Sequence, residues 1–518
     1  MRRFLLATTG GATALAATLS MALTSPTAAA GTSGGDKEPW VVRSAVMRTN
    51  AEEFRTLCGE QQQGTPEVRS FPLFGHGKHF TAVQDYQRQQ PDGTVFWSGH
   101  DPEDSRRTIS ISAVGACTKG PVTLSGVITS GFRQYAYEPA KRPGWYELNE
   151  IDTLKLPPSG QGIDTIEVPA KKPHKPHQPQ KPHKPHTPGL SIAATPENPA
   201  AIDVVFAYTP AALAEVGSVA AVNARIAYGV NQVNSALANA NVPASLHVVN
   251  TYQTQATGVP GENVNTLLGM ISNANNTVLG TDAAAQRRTY SADLVALLAS
   301  VPAQNASGAS SLPIPAPSAM TSAAAFSVTS ILSVTGWENL GHEIGHNFGM
   351  QHDRLTFSRQ GGTPPEGTSN YGWVTPNGQH HTLMAYSSAC PQACNVVNTY
   401  SNPAYSWGNQ PLGDAENNNA ARALQSADVL AAYRPSLVTN RRALTFAADP
   451  VAGGTLKVSQ FGPYDPGAQV TVWATPNPGY RFDAWAVDGV ELPNTLPPSY
   501  QLTMNTDHTI TAFFIRLP

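Results

Sequence analysis

A chain of 518 residues is too long for one compact core, so about three domains are expected. Charged residues make up 13% and the formal net charge is -3, a balance that gives no electrostatic footprint for nucleic acid. Past the first thirty residues, no segment is long and apolar enough to span a bilayer as a helix.

The chain starts MRRFLLATTGGATALAATLSMALTSPTAAA, with Arg2 and Arg3 ahead of an Ala/Leu-rich stretch that ends in Ala28-Ala29-Ala30. This layout is that of a secretory signal peptide, residues 1–30, cut after Ala30. A retained membrane anchor is the alternative; Gly10-Gly11 and the A-x-A site argue against it. The mature chain is therefore expected outside the cell. Cys58, Cys117, Cys390 and Cys394 suit that compartment as two disulfides, Cys58–Cys117 and a tight Cys390–Cys394 loop in CPQAC. A metal site built from all four is disfavoured by the long sequence interval between the pairs.

Residues 31–168 alternate as strands do, in TVFWSG, TISISAV, VTLSGVITSG, RQYAYEP and WYELNEI, and form a β-rich N-terminal domain. His76 and His79, in the Gly-rich FGHGKHF, are read as loop histidines. A Pro/His/Lys-rich linker, 169–200, follows. Proline recurs there at every third residue from Pro173 to Pro188, the period of an extended polyproline II spacer. The same period aligns His174, His177, His183 and His186; a solvated spacer is preferred over a metal-binding edge, because a flexible row lacks supporting hydrogen bonds.

Between 201 and 436, AIDVVFAYTP, ASLHVVNTYQT, ADLVALLAS and AFSVTSILSV read as strands. AAVNARIAYGVNQVNSALANANV and NNNAARALQSADVLAAYRP read as helices, giving a mixed α and β domain. Residues 441–518 show short alternating strands separated by Pro, Gly and Asn, a small all-β module.

The chemistry concentrates in WENLGHEIGHNFGMQHD. Thr335 and Glu338 have capping-box spacing, which predicts a helix from Gly336. On that helix His342 and His346 share one face, while Leu340, Ile344 and Phe348 form a row toward the core. Gly349 ends the helix and turns His352 toward the first two rings. Three imidazoles leave one tetrahedral position open, the arrangement of catalytic zinc, and Glu343 is placed to act as general base rather than ligand. With 14 His and 43 Gly in 518 residues, the added Gly349 and His352 would arise by chance roughly once in 450 trials, so satisfied core histidines are a poor account.

H-E-x-x-H-x-x-G-x-x-H is the metzincin signature, and Asp353 after the last histidine makes the stretch resemble the reprolysin (adamalysin) branch. HTLMAYSSAC resembles the methionine turn of bacterial reprolysin-like enzymes and peptidyl-Asp metallopeptidases, with Met384 placed 32 residues beyond His352. The resemblance covers about 201–435. It implies a mixed five-stranded sheet over an active-site helix, with substrate along an edge strand that we place at 325–334. Tyr386 follows Met384 by two residues, the offset at which astacin-like and serralysin-like metzincins place a tyrosine near the zinc. It is read as an oxyanion donor, with packing beneath the site as the alternative. His380 and His381 are read as strand-to-turn residues, since three histidines complete the site.

The N-terminal domain loosely resembles reprolysin-type propeptides. Their cysteine switch does not carry over, because no cysteine lies between Cys117 and the protease domain and RTLCGEQ lacks the switch context. Any latency then needs another blocking group. GGTLKV, YDPGAQVTVWATPNPGYRFDAWAVDG and TITAFF resemble divergent internalin B-repeats, which implies contact with a cell surface or polysaccharide. The module's aromatics Trp473, Tyr480, Phe482, Trp485 and Phe513 are read as core before ligand platform.

The expected architecture is thus multidomain: an α+β metzincin domain flanked by a β-rich propeptide-like domain and a small all-β module. The expected activity is that of a secreted zinc endopeptidase acting on protein or peptide. A secreted surface-binding protein with a secondary or silent protease domain is the rival; an intact Glu343 argues against it. One zinc is expected, and calcium stays open because no calcium loop stands out.

Overall fold

The computed structural model describes residues 39–58, 64–74, 78–90, 92–155, 164–169, 194–256, 263–275, 277–301, 308–314, 320–336 and 338–518. The signal-like start, the proline-rich spacer with its four histidines, and His76 lie outside the described residues.

The N-terminal part comprises β1 (Val41–Arg48), α1 (Ala51–Arg55), β2 (Val68–Pro72), β3 (His79–Gln89), β4 (Val95–His100), β5 (Thr108–Val114), β6 (Thr123–Ser130), β7 (Arg133–Pro139) and β8 (Trp145–Asp152). They pair antiparallel in the order β1-β8-β7-β6-β5-β4-β3, with β2 on β3. Alternation sends Trp97, Ile109, Ile111, Leu124, Tyr137 and Leu148 into one core. Cys58 and Cys117 are bonded beside it, and His79 is the exposed first residue of β3.

A short strand, β9 (Thr165–Pro169), leaves this part and joins the next sheet. There follow β10 (Ala200–Tyr208), α2 (Pro210–Val216), α3 (Val219–Asn239), β11 (Ala244–Gln253), α4 (Val264–Ile271), α5 (Val278–Thr289), β12 (Leu294–Ala299), β13 (Gly308–Ile314), β14 (Phe326–Ser330) and α6 (Asn339–Asn347). The sheet runs β11-β10-β12-β14-β13-β9, parallel except where β13 meets β14. Buried on both faces, β12 reads LVALLA without alternation.

The edge strand falls elsewhere than expected. Residues 326–330 are fully buried between β12 and β13, so 325–334 is not the edge; β13 is the outer strand of the catalytic region's own five. Its Ser310, Ser311 and Pro313 fit that position, since proline belongs on sheet edges. The helix start also differs. α6 begins at Asn339 with Glu338 left-handed at φ 54 and no side-chain cap; Thr335 instead meets Ser125, and Glu338 accepts from Tyr228.

Beyond α6 come β15 (Gln351–Asp353), α7 (Arg354–Arg359), β16 (Tyr371–Gly372), β17 (His380–Thr382), β18 (Asn395–Val397), β19 (Asn402–Trp407), β20 (Gln410–Leu412) and α8 (Asn419–Ala431). The C-terminal module holds β21 (Leu444–Asp449), β22 (Gly454–Val458), β23 (Gln469–Pro476), β24 (Tyr480–Val487), β25 (Val490–Glu491), β26 (Ser499–Thr503) and β27 (His508–Arg516). Trp485 and Phe514 are buried in its core with Tyr480 and Phe482 packed on them; Phe513 is only half-buried, and Trp473 lies near His100 of the N-terminal part.

The N- and C-terminal parts are not independent. β23 pairs with β3 through Gln469–Gln87 and Val470–Tyr86, so both parts share one eleven-stranded sheet. Beneath that seam, Arg88 bridges Asp465, His247 lies 3.6 Å from Asp465, and Arg441 bridges buried Asp203. Residues from all three parts of the chain thus meet in one buried charge cluster.

Candidate active site

Four-residue spacing on α6 places His342 and His346 side by side, and Gly349, at φ +84, reverses the chain behind them. A side chain on Gly349 would also overlap the Arg422 guanidinium. β15, paired with β16, then delivers His352. The Nε2 atoms form a near-equilateral triangle: 3.2 Å from His342 to His346, 3.1 Å from His346 to His352, and 3.2 Å from His352 to His342.

The opposite ring nitrogens fix the tautomers. Nδ1 of His342 donates to the Leu383 carbonyl at 2.7 Å, that of His346 to the Met350 carbonyl at 2.8 Å, and that of His352 to Gln360 Oε1 at 2.9 Å. Each Nε2 is therefore left with a bare lone pair, and the three converge. In the neutral rings these lone pairs repel one another unless a cation lies between them. Tetrahedral zinc with nitrogen ligands at about 2.0–2.1 Å needs ligand separations of about 3.3–3.4 Å, close to those seen. Burial and the neighbouring rings hold His346 well below the ordinary histidine range, which keeps it neutral. The three histidines fit a zinc ion.

Met384 is fully buried below the rings, and any side chain on Gly345 would overlap its Sδ. That approach accounts for a helix-weakening glycine in mid-helix. Asp353 ties the third histidine to the methionine turn: its carboxylate caps α7 at Thr356 N, 2.8 Å, and accepts from Tyr386 N at 3.1 Å. The bonded Cys390–Cys394 pair follows the turn. His381 donates toward Thr382 O and His380 stacks on Phe132; neither joins the histidine triangle.

Glu343 is 2% exposed and its Oε2 has no hydrogen-bond partner among the described residues. Burial, then the charge of Asp164, pushes its carboxyl well above the usual range. The edge strand approaches it so closely that a Cβ on Gly308 would overlap the carboxylate. Tyr386 lies against His352 and His342, with ring centroids 4.6 and 5.4 Å away.

One residue at this site was not legible in the sequence. Asp164, buried at 3% exposure, reaches the triangle from the N-terminal side of the spacer. Its Oδ1 lies 3.1 Å from His352 Nε2, its Oδ2 lies 3.5 Å from His342 Nε2, and Tyr386 donates its hydroxyl proton to Oδ2. Among the described residues, Asp164, His342, His346 and His352 are the group able to hold a metal, their ligand atoms within 4.8 Å of one another. No motif marks an aspartate in GQGIDTIEVP among 36 acidic residues; the strand-like TIEV beside it was the only signal.

Comparison with known proteins agrees with this geometry. Residues 198–418 match the model of the M12B reprolysin-like metallopeptidase family, and residues 444–517 match that of the divergent InlB B-repeat domain. A peptidyl-Asp metalloendopeptidase of Xanthomonas campestris pv. campestris is 26% identical over 402 residues, 76% of this chain and 88% of that one. Another, from Stenotrophomonas maltophilia, is 25% identical over 376 residues, 69% of this chain and 81% of that one. A solved chaperone–substrate complex aligns with a TM-score of 0.35 at 18% identity, over 46% of this chain and 39% of that one. The chain thus carries a reprolysin-like metallopeptidase domain of family M12B, with a divergent InlB B-repeat domain after it.

Proposed function

We propose that the protein is a secreted zinc endopeptidase with His342, His346 and His352 as ligands and Glu343 as general base. The observation that carries this reading is the triangle of converging Nε2 atoms with Glu343 beside it, its Oε2 without a hydrogen-bond partner among the described residues. When bound, zinc supplies Lewis acidity to a water and to a peptide carbonyl. Glu343 takes the proton of the attacking water and returns it to the leaving amine. Tyr386, its phenol directed at the metal face, donates a hydrogen bond to the developing oxyanion. An extended substrate adds to the edge of β13, where β9 now lies.

Export is supported by the signal-like first 30 residues and by two bonded cysteine pairs. The N-terminal part is read as a propeptide that restrains the protease until the spacer between Pro169 and Ala200 is cut, and the B-repeat module as a surface anchor. Peptide-library profiling tests whether the aspartyl preference in the relatives' name extends to this chain.

A chelator is expected to abolish proteolysis, and zinc to restore it. Glu343→Gln should keep stoichiometric zinc by elemental analysis while the rate falls at least ~10²-fold, the scale of general-base loss. Zinc loss, or near-normal turnover, in that variant would contradict the assigned role.

A further inference from the structure

We propose that Asp164 is a fourth metal ligand, inserted by the N-terminal part of the chain to close the three-histidine site; this rests on that site being the zinc site proposed above. The geometry carries the ligand assignment. A carboxylate offers only lone pairs when ionised, and each of the three imidazoles, its Nδ1 engaged elsewhere, turns its Nε2 toward it. The nearest carboxylate oxygen lies 3.1 Å from His352 Nε2, 3.9 Å from His346 Nε2 and 3.5 Å from His342 Nε2. Oδ1 has no hydrogen-bond partner among the described residues, and the group is fully enclosed. Four buried acceptors facing one point repel one another unless a cation lies between them.

The backbone shows how the carboxylate is delivered. The Asp164 carbonyl accepts from Ser310 N at 2.7 Å, and β9 then runs parallel to β13 from Thr165–Ser310 to Pro169–Ile314. The strand thus covers the edge that a substrate would use. Asp164, the residue just before it, fills the position that a catalytic metal keeps open for water. The phenol of Tyr386, engaged by Oδ2, is withheld from any substrate. One residue therefore occupies the water position and the oxyanion donor together. The chain needs no cysteine for this, and has none between Cys117 and β9.

The test uses the full-length, uncut chain, reconstituted with cobalt(II) in place of zinc so that ligand changes appear in the visible spectrum. Asp164→Asn and Asp164→Ala are compared with wild type, and Glu167→Gln, an exposed carboxylate on the same strand, is the control. Both Asp164 variants should shift the cobalt bands and release metal to a chelator about 10-fold faster, while Glu167→Gln matches wild type. Hydrolysis of an unfolded protein by uncut Asp164→Ala should rise ~10-fold or more, as expected if under about a tenth of wild-type molecules are open. Cobalt spectra of both Asp164 variants superimposable on wild type would overturn the ligand. Equal hydrolysis by active wild type and Asp164→Ala would overturn the closure. A shifted spectrum with no hydrolysis by any form would keep the ligand and count against the endopeptidase reading, so the two failures are separable.

Discussion

The hydroxyl of Tyr386 donates to Asp164 in the intact chain, so its proton is already committed there. Its contribution to catalysis is therefore visible only once Asp164 has left. In protein freed of the N-terminal part, Tyr386→Phe should lower kcat by roughly 10²-fold while zinc content and Tm hold, because an oxyanion donor is worth about 2.7–4 kcal/mol. A kcat within a fewfold of wild type would make the tyrosine scaffold. The two kinds of residue around the metal differ in how they could be read. His342, Glu343, His346, Gly349 and His352 sit within eleven residues, where helical periodicity fixes their relation, and Met384 is betrayed by its own short motif. Asp164 lies 178 positions before His342 and reaches it only through a strand pairing. Nothing local distinguishes it from other aspartates. Gln360, which meets His352 Nδ1 at 2.9 Å, lies close in sequence but belongs to no motif.

Among the elements, α6 is the one whose start defied its sequence. Thr335 and Glu338 have the spacing of a reciprocal cap, yet Thr335 is drawn to Ser125 of β6, and Glu338 to Tyr228 and Gln232 on α3. Tertiary hydrogen bonds outcompeted the local one. The result is a buried carboxyl whose pKa burial raises to about 7, partly offset by its two hydrogen-bond donors. Because the folded value lies above the ordinary 4.5, stability from this site is full below about 4.5 and declines as pH rises through about 7. Glu338→Gln keeps an acceptor for Tyr228 without the charge. It should flatten the fall of Tm between about pH 5 and pH 8, with a difference of order 1 kcal/mol per unit of raised pKa. Parallel slopes in the two proteins would show that Glu338 does not titrate in this range. The position of the edge strand is likewise set by pairing rather than composition: β14 (FSVTS) and β13 (GASSLPI) both carry hydroxyl side chains, and only Pro313 marks β13 as the outer of the two.

At the scale of the whole molecule, three sequence-defined parts were legible from changes of pattern, but their joining was not. β23 of the C-terminal module completes the sheet of the N-terminal part, and Arg88, Asp203, His247, Arg441 and Asp465 draw all three parts into one buried charge cluster. Removing one partner from such a cluster typically costs 3–5 kcal/mol. β9 and Asp164 both lie upstream of the spacer. A cut between Pro169 and Ala200 therefore leaves the blocking strand attached to a body that is still held in place. What the cut destroys is the tether, which keeps the two halves at a local concentration on the order of millimolar. Switching on then becomes a matter of mass action. Nicked protein should stay quiet in concentrated solution and gain specific activity on dilution, as the fragments part and fail to find one another again. A specific activity independent of dilution would refute this. If it holds, the enzyme would be silent where it accumulates and active only after it has spread.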